Sequence, residues 1–174
     1  MLMTIEELKA ITGEIADDSD LSRRLEAVEF LIRGYTHNTF RSRYIRAECR
    51  IMGGIIWDIP PQIAEGDTIQ ISGSRFNNGI YTVTNITDGR AAVDGSLYDS
   101  MKDIVSLVIY PNDVKTGAAM LVKYGVESEE HMGIRSETIS RHSVTYSSSS
   151  DEEHIMGYPK DMMQFLKPYI KARF

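Results

Sequence analysis

Histidines and acids in the last third of the chain are the side-chain types that bind metal ions. His131, His142 and His154 are separated by eleven and twelve residues, and the acidic run Asp151–Glu153 precedes the third. Metal ligands that are close in sequence usually lie about two to five positions apart, so that one turn or helix face presents them together. The observed spacing therefore predicts no metal site.

Nucleophilic side chains show no catalytic pattern either. Ser140 and Ser143 flank His142, but in a strand they would point to the opposite face or away from it, and no G-x-S-x-G motif occurs. Cys49 lies in a strand-like run, which favours a buried apolar role. The stretch ISGSRFNNG has neither the phosphate-loop nor the dinucleotide pattern and predicts a β-turn. We expect no catalytic residue, no cofactor and no enzymatic activity.

The amino-acid composition is that of a globular protein. The chain has 174 residues, 42% of them hydrophobic, and a single cysteine. This suffices for one domain, or for a core domain with an inserted module. A lone cysteine excludes an internal disulfide framework, which favours a reducing, cytoplasmic setting.

Hydropathy and charge exclude two further classes. No apolar window is long enough to span a bilayer, and the start MLMTIEELKAITGE has a helix-entry pattern in place of a signal peptide. The net charge of −6 is spread as −4 over residues 1–40, −1 over 41–109 and −1 over 110–174. We expect no membrane association and no basic field for gripping nucleic acid.

Helical periodicity marks the first part of the chain. Thr4 and Glu7 have the spacing of a capping box, and Gly13 predicts the end of this first short helix. A longer helix follows the N-cap candidates DDSD, with apolar residues stepping by four and three along one face: Leu21, Leu25, Val28, Ile32 and Tyr35.

Two further helices are predicted after the middle of the chain. One opens at Pro111, is apolar nearly all round, and has Gly125 as its C-cap candidate. The other starts at Pro159 and is bent or ended by Pro168. After Asp161 no acid appears, so a basic, aromatic tail finishes an acidic protein.

Between these helices the period becomes strand-like. Six runs of β-formers are separated by turn residues such as Gly53-Gly54, Pro60-Pro61 and Asp88-Gly89. The fold class is therefore predicted as α+β: a small helical bundle core of about four helices with an inserted antiparallel β-module, a small sheet or a partly closed barrel. We assign residues 1–40 and 110–174 to the helical core and residues 41–109 to the module.

The chain resembles the head-tail connector, or adaptor, proteins of tailed bacteriophages that infect Gram-positive hosts. The segments that carry the resemblance are IEELKAITG, DDSDLSRRLEAVEFLIRGYT, YPNDVKTGAAMLVKY, GIRSETISRHSVTY and GYPKDMMQFLKPYIKARF. The module sequence EGDTIQISGSRFNNGIYTVTNI is similar to the β-insertion of that subgroup. SETISRHSVTY and PYIKARF are the most specific pieces.

This resemblance implies a structural virion protein of the phage neck. Its copies would form a ring of roughly twelve subunits by cyclic symmetry, beneath the portal and above the tail-completion or stopper protein. The ring would be made in the bacterial host cytoplasm and would serve virion assembly and DNA packaging. DNA would pass through its channel without sequence-specific binding, and an acidic wall would not hold the passing phosphates.

The polar stretch after the third helix and the tail are the candidate interfaces of such a ring. The stretch can form a strand with both faces polar, so its backbone can pair with a neighbouring chain; the alternative is a hairpin within one subunit. The tail can dock into an apolar groove of the portal; the alternative is a final helix packed on its own core. The predicted portal or inter-subunit residues are Glu137, Thr138, Ile139, Ser140, Arg141, His142, Ser143, Val144, Thr145, Tyr146, Tyr169, Ile170, Lys171, Ala172, Arg173 and Phe174.

Two other functions remain open from the sequence. The chain could be a tail-completion or stopper component, which would bind the tail tube in place of the portal. It could also be a monomeric binding protein whose β-module holds a peptide or glycan on an aromatic patch around Trp57 and Tyr81.

Overall fold

The computed structural model describes residues 1–13, 15–130, 136–139, 142–145 and 154–172. For residue 130 and for the segments 136–139 and 142–145 it describes the backbone alone. The chain divides into two compact units. A barrel unit comprises Met1–Leu2 and Asn38–Tyr110, and a helical unit comprises Met3–His37 and Pro111–Phe174.

The barrel unit contains six strands, one in each region where the sequence predicts a β-run. They are β1 (Arg41–Met52), β2 (Ile55–Trp57), β3 (Thr68–Ser72), β4 (Gly79–Thr87), β5 (Arg90–Val93) and β6 (Ser100–Val108). All neighbours are antiparallel, in the order β1-β2-β5-β4-β3-β6, and β6 returns to pair with β1. The barrel is closed, which leaves no open sheet edge in this unit.

The predicted fold class is wrong on this point. A closed six-stranded barrel with a core of its own, accompanied by four helices among the described residues, is not a small module inserted into a helical bundle. The sequence pattern identified the strands but not the pairing of the first strand with the last, which closes the sheet. The barrel core is formed by Cys49, Ile51, Ile56, Ile59, Ile63, Ile69, Ile71, Val83, Ala91, Leu97, Val105 and Leu107.

The helical unit begins with two capped helices. In α1 (Ile5–Thr12) the Thr4 hydroxyl accepts from Glu7 N at 3.1 Å, and Thr4 N donates to the Glu7 carboxylate at 3.0 Å, which confirms the capping box. The second helix, α2 (Asp18–Thr36), is capped by Asp17, whose carboxylate accepts from the amides of Ser19 and Asp20. These hydrogen bonds, that from Asp20 first, lower the pKa of Asp17 below its usual value.

The third helix, α3 (Asn112–Glu130), runs past its predicted end at Gly125. Glycine inside a helix costs about 1 kcal/mol relative to alanine. Two contacts stabilise the extra turn: Val126 is buried, and Glu129 forms an ion pair with Arg24 of α2 at 2.6 Å. Tertiary packing therefore overrides the local stop signal.

The other described elements of the helical unit are short. A hairpin pairs β7 (Ser136–Ile139) with β8 (His142–Thr145), and a second pairs β9 (His154–Ile155) with β10 (Tyr158–Pro159). A 3-10 helix (Lys160–Tyr169) follows and packs against α2 and α3, ending one residue after Pro168. Gly117 of α3 lies so close to the Phe165 ring that a Cβ at this position would overlap it. The small residues of α3 thus admit a neighbour from the same unit.

Candidate interaction surfaces

The first predicted interface segment forms the hairpin of β7 and β8. Glu137 pairs with Val144, Thr138 with Ser143, and Ile139 with His142. The strands are thus paired with each other, as in the alternative of a hairpin within one subunit. Among the described strands neither has a second neighbour, so whether their outer edges meet another chain stays a prediction. Ser140, Arg141 and Tyr146 of the predicted segment lie outside the described residues.

The second predicted segment, the tail, is partly bound within its own unit. The Tyr169 hydroxyl donates to the Asp113 carboxylate at 2.8 Å, at the first turn of α3. Lys171 N donates to the Thr36 carbonyl oxygen, the last residue of α2, at 2.8 Å. These contacts fix the direction in which the chain leaves the 3-10 helix.

The hydrogen bond to Asp113 also raises the pKa of Tyr169, because a neutral phenol can donate to a carboxylate and a phenolate cannot. Burial and the negative charge of Asp113 act in the same direction. The Tyr169 hydroxyl therefore links the tail to the first turn of α3. The side chains after it, Ile170, Lys171 and Ala172, are exposed, whereas Arg173 and Phe174 lie outside the described residues.

A surface that the sequence analysis missed lies at the start of β1, and we call residues 41–46 the arginine bulge. Between Arg41 and Arg46 the pairing of β1 with β6 shifts register. The Ser42 hydroxyl accepts from the amides of Tyr44 and Ile45 at 3.2 and 3.1 Å, which holds the irregular backbone in place. Tyr44 is 96% exposed.

The arginines of this bulge differ from the others in the barrel unit. Arg41, Arg43 and Arg46 are exposed, and none has a carboxylate or ring partner among the described residues. The other three are engaged: Arg50 pairs with Asp58 at 2.9 Å, Arg75 lies over Phe76, and Arg90 lies over Trp57.

Exposed aromatic rings form a second surface on the barrel unit. Phe76 and Tyr98 are 64% and 65% exposed, with ring centroids 5.9 Å apart. Buried Asn77 lies beside them and bonds both the backbone of Tyr98 and the buried Asp103 carboxylate. The backbone that carries the Tyr98 ring is thus anchored by a buried polar network.

The aromatic patch expected around Trp57 and Tyr81 is not exposed. Trp57 is half-buried beneath Arg90. Tyr81 is half-buried between Gly79 and Gly95, and a Cβ on Gly95 would lie 2.8 Å from its ring. Both rings therefore serve packing, and the exposed rings of this unit lie elsewhere.

Among the described residues of the helical unit, Phe30 is an aromatic side chain at the surface that the core of the unit does not use. Phe30 of α2 is 74% exposed. Ala27 and Gly34, three positions before and four after it, are also exposed and lie on the same helix face. Glu26 adjoins them, is exposed, and has no hydrogen bond or ion pair among the described residues. We call these four residues the α2 outer face.

The candidate chemical residues are placed as follows. Cys49 is buried in the barrel, as predicted, and burial raises the pKa of its thiol to about 11. His154 is half-buried in β9, His131 lies outside the described residues, and for His142 the backbone alone is described. In the described part of the chain no three His, Cys, Asp or Glu side chains are grouped as metal ligands.

Comparison with known proteins gives no family for this chain. A scan against protein-family models finds no match, and a search of curated proteins finds no relative. Over the described residues, no helix combines the length and apolar character that a membrane crossing requires. A functional proposal for the protein therefore rests on its residue patterns and on the geometry of its surfaces.

Proposed function

We propose that this protein is a non-enzymatic head-tail connector of a tailed bacteriophage. Its copies form a ring of about twelve subunits between the portal and the tail-completion or stopper protein. The ring leaves a channel through which DNA passes. The protein is made in the host cytoplasm and ends as part of the virion neck.

The observation that carries the proposal is the hairpin of β7 and β8, the segment in which the resemblance to connectors is most specific. A two-stranded sheet leaves half of its backbone groups directed outwards, where another chain can pair with them. A hairpin of this kind is marginal in water by itself. Addition of a strand from a neighbouring subunit would complete it.

The tail supports a second contact, with the portal. The bonds of Tyr169 and Lys171 fix the chain as it leaves the 3-10 helix, and the Ile170 side chain is exposed. An apolar and basic extension held at its base can enter a groove at lower entropic cost than a free terminus. The tail thus suits an apolar groove with an acidic rim.

Native mass spectrometry and negative-stain imaging of the full chain, alone and with its candidate portal protein, test this function. We expect a ring in the presence of portal, even if the free chain is monomeric. A chain that stays monomeric and does not bind portal would overturn the proposal. Binding to tail-tube protein in place of portal would identify a stopper component.

A monomeric binding protein remains the second candidate because of the exposed pair Phe76 and Tyr98. Stacked or tilted rings on a rigid base can hold a glycan or a peptide. A glycan and peptide array tests this function directly. This function predicts a ligand on the array that the wild type binds and that the Phe76→Ala and Tyr98→Ala variants do not bind.

A further inference from the structure

The arginine bulge has the properties of half an interface. Interface hot spots are enriched in tyrosine and arginine, and here a tyrosine that is 96% exposed stands among three exposed arginines. By contrast, Arg50, Arg75 and Arg90 each contact an acid or an aromatic ring of the barrel unit. The bulge instead directs its positive charge to solvent, which suits an acidic partner.

The α2 outer face has the matching properties. Its apolar centre is Phe30, left open because its neighbours Ala27 and Gly34 are small. Its one charge without a partner among the described residues is the carboxylate of Glu26, whereas Arg23, one turn earlier on the same face, is paired with Asp20 at 2.8 Å. The helical unit around it is acidic, with 12 basic and 17 acidic residues and hence a net charge of −5, whereas the barrel unit has 7 and 8 and a net charge of −1.

We propose that the arginine bulge of one copy binds the α2 outer face of a second copy, with Tyr44 packed on Phe30 and the arginines facing Glu26. This inference rests on the proposed ring and adds a pair of contact surfaces to the hairpin contact proposed above. The two surfaces differ, so the contact is heterologous, and repetition of a heterologous contact produces a ring when the rotation closes.

The charges favour a second copy of this chain over DNA as the occupant. The chain is acidic overall, with a net charge of −6, so its field as a whole opposes DNA binding. A phosphate backbone would also leave Tyr44 without an apolar contact. The α2 outer face offers an aromatic ring to Tyr44 and a carboxylate to the arginines.

Cysteine cross-linking of the full chain tests the contact, even where it is weak. One variant carries Ala27→Cys and the other Arg46→Cys, so Phe30 and Tyr44 stay in place. The native Cys49 is buried, so a short bismaleimide should react at the new thiols. The two variants are mixed at high concentration, with and without portal.

We expect covalent dimers from the mixture and not from either variant alone, since only the mixture joins the two different surfaces. A chain with both substitutions should give a ladder of higher oligomers. Tyr44→Ala, added to the chain that carries Arg46→Cys, should lower the yield of mixed dimers at least tenfold. Replacing Ala27→Cys by Phe76→Cys, on another exposed surface, should give no dimers.

Charge exchange tests the polar half of the contact. Arg43→Glu should lower the yield of dimers, and Glu26→Arg on the partner copy should restore it. Arg50→Glu is the matched control, because Arg50 lies on the same strand but faces Asp58. It should leave the yield unchanged.

The inference is overturned if no mixed dimers form under either condition, or if Tyr44→Ala leaves their yield unchanged. It is also overturned if duplex DNA blocks cross-linking and binds the wild type but not the Arg43→Glu chain, since DNA would then be the occupant. Portal-dependent rings without these cross-links would refute the contact but not the connector. Cross-links without portal binding would refute the connector and leave a self-associating protein.

Discussion

The two units of this protein differ in how completely they satisfy their own backbone. In the barrel every strand has two neighbours, and a continuous core fills the interior. The helical unit pairs its helices closely, but it also contains two two-stranded hairpins and a 3-10 helix that leads into an exposed tail. The barrel strands leave no open sheet edge, whereas the described hairpins of the helical unit leave backbone groups that a partner could pair with.

Hydrogen exchange should show this difference most strongly. Amides of β6 such as Val105 exchange only when the barrel unfolds, and those of Thr138 and Val144 exchange through opening of a marginal hairpin. We expect the hairpin amides of the free chain to exchange roughly a thousandfold faster or more. In the portal-bound ring their exchange should slow towards that of β6.

The control for this measurement is the part of the barrel away from the arginine bulge, such as Val83 of β4, whose exchange should change far less than that of the hairpin between the free chain and the ring. Equal protection of Thr138 and Val144 in both states would mean that no neighbouring chain completes the hairpin. The hairpin of β7 and β8 would then no longer support the proposed function.

Matched core substitutions test whether each unit has a stable core of its own. Ile71 in the barrel and Leu121 in α3 are 1% and 0% exposed, and truncating either to alanine should destabilise its unit by about 2–5 kcal/mol. Chemical denaturation followed by hydrogen exchange identifies the unit affected. If Ile71→Ala weakened the helical amides as much as those of the barrel, the two units would unfold as one.

The part of this architecture that the sequence predicted is the part encoded locally. The capping box of α1 joins residues three apart, and each strand of the barrel lies in its own run of β-forming residues. Closure of the barrel joins Arg46 to Ser106, sixty positions away, and no local pattern encodes that pairing. The end of α3 was misplaced for the same reason, since the ion pair beyond Gly125 comes from Arg24.

The candidate surfaces show the same limit. The sequence indicated the tail and the polar stretch because their compositions are unusual. It did not indicate the arginine bulge, although Arg41, Arg43 and Arg46 are plain in the sequence. What distinguishes these three arginines is that the other arginines of the barrel unit contact an acid or a ring. Those contacts are formed by the fold and cannot be read from the sequence.

Removal of residues 170–174 should separate stability from assembly. Among the described hydrogen bonds the deletion removes those from Lys171 N to Thr36 and from Ile170 N to Lys167, so the free energy of unfolding should fall by only about 1–3 kcal/mol. Portal binding should be lost, because the exposed part of the tail is gone. Calorimetry and a portal pull-down measure the two effects, and retained binding would exclude the tail as a portal contact.

The smallest expected effect is that of the Tyr169 hydroxyl. Because the hydrogen bond to Asp113 raises the pKa of Tyr169 in the folded state, its contribution is fully present below the ordinary tyrosine pKa of about 10 and is lost as the pH rises through the higher folded value. Tyr169→Phe should therefore lower Tm by about 1–3 °C at pH 8. The difference from wild type should shrink at strongly alkaline pH.

Tyr44→Phe is the matched control for this effect, because the Tyr44 hydroxyl is exposed and has no hydrogen bond among the described residues. It should leave Tm of the free chain unchanged at every pH. If Tyr169→Phe behaved in the same way, the bond to Asp113 would not hold the base of the tail. The tail would then reach the portal as a free segment, and its binding would carry the full entropic cost of ordering it.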